Sequence, residues 1–435
     1  MKVLMLGWEF PPFISGGLGT ACYGLTRGLD QLGAEIVFLL PRPIEPPHAG
    51  HVELVAPGTG RKGGASAYGM PGKFRHVQFR ALDAILVPYV SPGEEEEGAE
   101  AGVAGGRRRR GVRVVGKEQW AGPGSPYQGD LFYETQRYAA LACEIAGEEP
   151  FDVIHAHDWM TYLAGIAVAD LTGKPLVVHV HSTEFDRSGI HVNQRIYDIE
   201  RAGMHRAHRV IAVSHLTRSV IIQHYGVDPR KVEVVYNAID DDGLTESRPL
   251  PPIRHDEKIV LFLGRITMQK GPEYFLAAAK RVLEVMDNVR FIMAGSGDMT
   301  RRMINLAQEM GIGHKVLFTG FLRGEDVRRV FRMADLYVMP SVSEPFGIAP
   351  LEALANDVPV LISKQSGVSE ILTHALKVDF WDVDEMANKI LAVLRHPPLQ
   401  ATLRSHGSIE VRRLSWLDAA RNCLKVYEAA VAAAR

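Results

Sequence analysis

Twice along this chain, short apolar runs alternate with amphipathic stretches of helical spacing, and the segment between the two series suits neither kind of element. Strands joined through helices must cross over the sheet they belong to. Each series therefore predicts a parallel sheet with helices on both faces. In the first series, Lys2–Gly7, Glu35–Leu40, Val52–Ala56, Asp83–Pro88, Asp152–His155, Leu176–His181 and Val210–Val213 read as strands. Thr20–Leu32, Phe132–Ala146, Thr161–Leu171 and Arg195–Ala207 have apolar residues at helical spacing. The second series places strands at Lys258–Leu263, Arg290–Ala294, Lys315–Thr319, Asp335–Met339 and Pro359–Ile362. Its helices are Pro272–Val285, Met299–Met310, Glu325–Met333 and Ile348–Ala355.

The string SRPLPPIRHDE, within Asp241–Glu257, has the prolines and charges of an exposed linker. The expected division is an α/β domain over 1–245, a second over 246–415, and a terminal helix over 416–435 that returns to the first. A length of 435 residues agrees, because one hydrophobic core rarely serves so long a chain. Within the first domain, Ser91–Gly124 carries an acidic block, Glu94–Glu97, and a basic block, Arg107–Arg110, with little to bury. It is expected to be a mobile surface insert.

Composition excludes several classes. A formal net charge of −2 offers no field for nucleic acid, and 46% hydrophobic residues exclude a largely disordered chain. Cys22, Cys143 and Cys423 lie far apart in sequence and are expected to be packing residues of a protein in a reducing cytoplasm. Neither a secretory leader nor a spanning segment is expected, while peripheral membrane contact stays open.

Two facing Rossmann-like domains make a cleft at the carboxyl ends of both sheets, where ligands of open α/β sheets bind. Three loops that follow strands carry chemistry. Gly16-Gly17-Leu18-Gly19 leads into a helix, so its amides can approach an anion such as phosphate. Arg265 and Lys270, five positions apart in LGRITMQKG, can neutralise a diphosphate by charge-assisted hydrogen bonds. In SEPFGIAPLE, Glu344 and Glu352 stand eight positions apart on a loop and a helix. Glu344 can accept hydrogen bonds from sugar hydroxyls and Glu352 from a ribose, while amides at Phe346, Gly347 and Ile348 face an oxygen of the phosphate or sugar.

This ordered set resembles the retaining GT-B glycosyltransferases of the glycogen- and starch-synthase-like group. The likeness runs from GWEFPPFISGGLG through HAHDW at 155–159 and HVHSTEFDRSG at 179–189 to GRITMQKG and the two glutamates. It implies a GT-B fold, two Rossmann-like domains across a deep cleft. A nucleotide-diphosphate sugar would be the co-substrate, with no cofactor and no required metal. By the same likeness Arg265 and Lys270 bind the donor diphosphate, Glu344 the transferred sugar, Glu352 the ribose, and the amides of Gly17 and Gly19 the distal phosphate. His181 would lie near the sugar O6, Asp158 near sugar or acceptor, and Gly295 and Gly297 beneath the nucleotide.

The implied reaction is transfer of a hexose, glucose foremost, from ADP-glucose or UDP-glucose to a carbohydrate acceptor, with an α-1,4-glucan among the candidates. HSTEFDRSG departs from the HN-type string common in bacterial glycogen synthases. Sucrose- or trehalose-type synthases, cell-surface glycan transferases, nucleotide-sugar epimerases and a nucleotide-sugar-binding regulatory module therefore remain alternatives. Two other signals carry less. Asp240-Asp241-Asp242 reads as a solvated turn. His155, His157, His179 and His181 are expected to have no cysteine or carboxylate cluster near them, so zinc is not expected. His155 and His179 should pack in the sheet, with His157 and His181 at the cleft.

Overall fold

The computed structural model describes residues 1–11, 16–41, 74–82, 84, 86, 131–239 and 257–434. Among these residues the first sheet has seven strands: β1 (Lys2–Leu6), β2 (Glu35–Pro41), β3 (Val77–Leu82), β4 (Val153–His157), β5 (Leu176–Val180), β6 (Arg209–Ala212) and β7 (Val232–Val234). They run parallel in the order β3-β2-β1-β4-β5-β6-β7. The second sheet has six: β8 (Lys258–Leu263), β9 (Val289–Ala294), β10 (Val316–Gly320), β11 (Leu336–Met339), β12 (Val360–Ser363) and β13 (Leu376–Val378). Their order is β10-β9-β8-β11-β12-β13, again all parallel.

Burial explains the unbroken apolar runs. All five residues of β4 and of β5 are buried, because helices cover both faces of a crossover sheet. Local chemistry sets several helix starts. Ser214 caps His215–Tyr225 through the Thr217 amide, and Asp382 caps Val383–Arg395 through that of Glu385. Pro272 opens Pro272–Leu283 at a position where its missing N–H costs nothing.

The helix Trp416–Ala433 packs on the helix Gly17–Gln31 of the first sheet's layer. Two glycines permit that approach. A Cβ on Gly24 would lie 2.1 Å from the Trp416 ring, and one on Gly28 would lie 2.5 Å from the Trp416 carbonyl oxygen. Where the chain returns, Ser415 makes an isolated parallel bridge with Ile239, the last described residue before the outward crossing.

Polar contacts also span the two layers. Ser214 Oγ donates to the Pro345 carbonyl at 2.6 Å, and Glu370 accepts from the amides of His215 and Leu216 at 2.9 and 2.7 Å. At the rim of the cleft, Ser343 Oγ donates to Asp186 Oδ1 at 2.6 Å.

One strand, β3, was not expected from the sequence. The segment expected at Asp83–Pro88 is preceded by β3, whose pairing with β2 runs from Ile36–Val77 to Pro41–Leu82; of 83–88 only Ala84 and Leu86 are described, both buried. The expected strand Val52–Ala56, the insert 91–124, the triplet Asp240–Asp242 and the linker up to residue 256 lie outside the described residues. No helix among the described residues is long and apolar enough to cross a membrane.

Candidate active site

The carboxyl ends of the two sheets face each other across a cavity of about 360 Å³, within the range of small-molecule sites. Of the thirteen positions singled out in the sequence, eleven line it: Gly17, Asp158, His181, Arg265, Lys270, Gly295, Glu344, Phe346, Gly347, Ile348 and Glu352. Gly19 and Gly297 do not. Gly19 is buried within the first turn of its helix. A Cβ on Gly297 would stand 2.3 Å from the Ile266 carbonyl oxygen, so this glycine serves loop packing behind the wall.

One wall is built by loops after β8, β9 and β11. Gly264 and Gly295 take φ of 156° and 136°, and a Cβ on Gly295 would lie 1.9 Å from the Gly264 carbonyl oxygen. The two loops can touch only as glycines. Beyond Arg265 a short 3-10 turn, Met268–Lys270, ends at Gly271 with φ 62°, and a Cβ there would meet the Pro340 carbonyl oxygen at 2.2 Å. This fit turns Lys270 toward the loop after β11, where Nζ meets Glu344 Oε2 at 2.5 Å. Ser341 Oγ donates to the same oxygen at 3.2 Å.

Glu344 is itself clamped. Its amide donates to the Gln365 carbonyl, and its carbonyl accepts from the Gly367 amide, both at 2.9 Å. A buried carboxylate with a cation and a hydroxyl on one oxygen is held in a single pose, with the other oxygen left for a ligand. Gly347, at φ 102°, turns the chain over this carboxylate; a Cβ there would press on Glu344 Cγ at 3.2 Å. One helical turn on, burial pushes the Glu352 carboxyl up to about 7.

The opposite wall belongs to the first sheet. Gly16 N donates to Glu9 Oε1 at 2.7 Å, and the helix from Gly17 begins without a side-chain cap. Asp158, between β4 and its helix, adopts φ 57° and ψ 171°, a conformation that L-residues rarely take and that costs on the order of 1–3 kcal/mol. Its Oδ1 accepts from the amides of His181 at 2.8 Å and Ser182 at 3.4 Å. Burial raises this carboxyl to about 7, against the pull of those amides and of Arg187. His181 meets His157 edge to edge, Nε2 to Nδ1 at 2.9 Å. Behind them His155, His157 and His179 are buried on the same sheet face, and His155 Nδ1 pairs with Tyr427 OH at 2.7 Å.

His157 is a correction. It was expected at the cleft, but it is fully buried and stands behind His181 instead of lining the cavity. The assumption that no cysteine lies near the histidines also fails, since Cys22 reaches His157 and His181 from the helix above.

Sequence reasoning missed several residues that shape the site. Glu9 acts through the Gly16 amide, Ser341 through Glu344, Asp186 through Ser343, and Arg187 through Glu184 and Glu200. Arg187 Nε is held 3.1 Å from Glu184 Oε2, and its Nη2 is 2.5 Å from Glu200 Oε1. Only Ser341, three residues before Glu344 in the same loop, had a signal close by.

Two family descriptions divide the chain between them. Glycosyltransferase Family 4 matches residues 15–242, and Glycosyl transferases group 1 matches residues 245–408. The chain is a GT-B glycosyltransferase of the glycogen-synthase-like group. It is 28% identical to an uncharacterized glycosyltransferase of Methanocaldococcus jannaschii over 99% of both chains. Glycogen synthase of Mycobacterium tuberculosis is 24% identical over 99% of this chain and 95% of its own length. Among solved structures, Anabaena HepE in complex with UDP and glucose matches at a TM-score of 0.68 with 19% identity, over 98% of each chain. In this glycosyltransferase the 245–408 match contains Arg265, Lys270, Glu344 and Glu352, and the 15–242 match contains Asp158 and His181.

Proposed function

We propose that this glycosyltransferase moves a hexose, glucose first, from ADP-glucose or UDP-glucose to a carbohydrate acceptor, with retention of configuration and without a required metal. The observation that carries the reading is the Lys270–Glu344 pair lining the cleft, with Glu344 buried and Lys270 half-buried, and Arg265 on the same loop as Lys270. HepE, of the same fold, was solved with UDP and glucose, which supports a nucleotide-sugar donor.

Arg265 and Lys270 would bind the diphosphate and stabilise the negative charge that grows on it as the glycosidic bond breaks. Glu344 keeps Lys270 aimed and accepts from hydroxyls of the sugar, while Glu352 accepts from the ribose. Retention follows a front-face path. The acceptor oxygen approaches from the side the diphosphate leaves, and its proton passes to the departing phosphate oxygen. Asp158 holds the His181 loop at the sugar's far side through its two amide contacts.

The test is a mass-spectrometric screen of nucleotide-sugar donors against glucans and small polyols, with nucleoside diphosphate release measured in parallel and the product anomer assigned by NMR. Expected is an α-linked product from an α-donor at a rate unchanged by chelator. An inverted product, or epimer formed from donor alone, would overturn the reading.

A further inference from the structure

Behind His181, three side chains from separate elements converge. Cys22 comes from the helix Gly17–Gln31, His157 is the last residue of β4, and His181 follows β5. One ligand atom of each, the Sγ and two ring nitrogens, lies within 4.8 Å of the others. The two imidazoles are neutral because burial pushes both below the usual range, His157 to about 3. Two neutral rings facing through nitrogens at 2.9 Å share one proton between two lone pairs. A metal cation in place of that proton would use both. His157 also has a second buried nitrogen, Nε2, without a hydrogen-bond partner among the described residues.

Charge supports a cation here. The carboxylates of Glu9 and Asp158 lie close enough to help burial raise the Cys22 thiol. The same two groups would offset the charge of an incoming ion, and binding to a metal deprotonates a thiol outright. One thiol and two imidazoles suit a borderline-soft ion such as Zn²⁺. The neighbouring trio His155, His157 and His179 fits less well. Its His155 and His179 rings stack at 14° with centroids 5.4 Å apart, so their lone pairs run side by side, and it contains no anionic ligand.

We propose that Cys22, His157 and His181 bind a zinc-type divalent cation that enters from the cleft at His181 and inhibits the enzyme. The thiol proton leaves to solvent as the Zn–S bond forms. With His181 committed to the metal, its ring is unavailable to a bound sugar, and the ion's fourth position points a charge into the sugar end of the cleft.

The binding part of this inference is independent of the proposed function, whereas the inhibition rests on it. Full-length protein stripped with chelator and titrated with Co²⁺ alone should show, at one equivalent, a ligand-field spectrum together with an ultraviolet thiolate-to-cobalt band. Zn²⁺ should abolish both signals. Cys22→Ala, which removes no group placed at the reacting atoms, should lose the thiolate band and bind at least about tenfold more weakly. It should keep the basal transfer rate while losing the inhibition that micromolar Zn²⁺ imposes on the parent protein and chelator reverses. A cobalt spectrum without the thiolate band would move the ion to the three-histidine cluster and overturn the proposal, as would undiminished binding by Cys22→Ala. A thiolate–cobalt band with transfer unaffected by Zn²⁺ overturns the inhibition. A chain with no transfer activity under any donor fails the proposed function and leaves the cobalt spectrum to decide this site.

Discussion

The two walls of the cleft reach the same cavity by opposite electrostatic means. The second domain's wall is charged and locally built: Lys270 and Glu344 form a close ion pair, and both come from loops that immediately follow strands. The first domain's wall is mostly polar groups without charge, Glu9 and the paired Arg187 apart, and is assembled over long range. Its histidines are held uncharged by burial, its aspartate is raised to about 7, and its one lining arginine is engaged by two glutamates. A fixed charge suits a task that never changes, such as holding a diphosphate. A neutral polar wall suits hydroxyls, which want partners but no field.

The sharpest way to break this comparison is Lys270→Ala. Loss of one electrostatic stabiliser should cut transfer by at least about a hundredfold while circular dichroism shows an intact fold. A nearly unchanged rate would mean that the charged wall does not carry the chemistry. Next in size is Gly295→Ala. The added methyl meets the Gly264 carbonyl oxygen and sits at φ 136°. It should lower unfolding free energy by about 2–3 kcal/mol, read by denaturant titration.

The buried carboxyls, one on each wall, are tested by pH. Asp158 and Glu352 are both held up to about 7 in the fold, above their ordinary values of 3.8 and 4.5. Protonation therefore favours the folded chain. That contribution is complete below about pH 4 and is lost as pH rises through about 7. The double variant Asp158→Asn/Glu352→Gln should flatten the decline, gaining about 5 kcal/mol on the parent between about pH 5 and pH 8. An unchanged slope would show that both carboxylates are already ionised. The smallest effect belongs to Ser343→Ala, which removes the contact with Asp186 between the walls. A lost hydrogen bond of about 1 kcal/mol should raise the donor KM roughly fivefold and leave kcat unchanged.

The same contrast decided what could be read from sequence. Strand–helix alternation is a local pattern, and Lys258–Leu263 and Glu325–Met333 were legible to the residue. Arg265, Lys270, Glu344 and Glu352 were legible because each lies in a short string that follows a buried run. β3 was missed because its residues are largely half-buried and lack the continuous apolar signal of the central strands. Cys22 beside His157 and Ser343 on Asp186 exist only once distant segments have folded together. The packing of Gly297 against the Ile266 carbonyl was not legible, because a glycine required for backbone packing and one that approaches a ligand look alike in a string of letters.

The bridge between Ile239 and Ser415 bears on how the cleft can open. The chain leaves the first domain and comes home to it at neighbouring points, so its second domain hangs from a double strap. Crossings held together at Ile239 and Ser415 should favour tilting of one domain over the other above swivelling, like a door on one hinge pin. Arg265, Lys270 and Glu344 would then swing toward the histidine wall along a single arc, together and in fixed relative position.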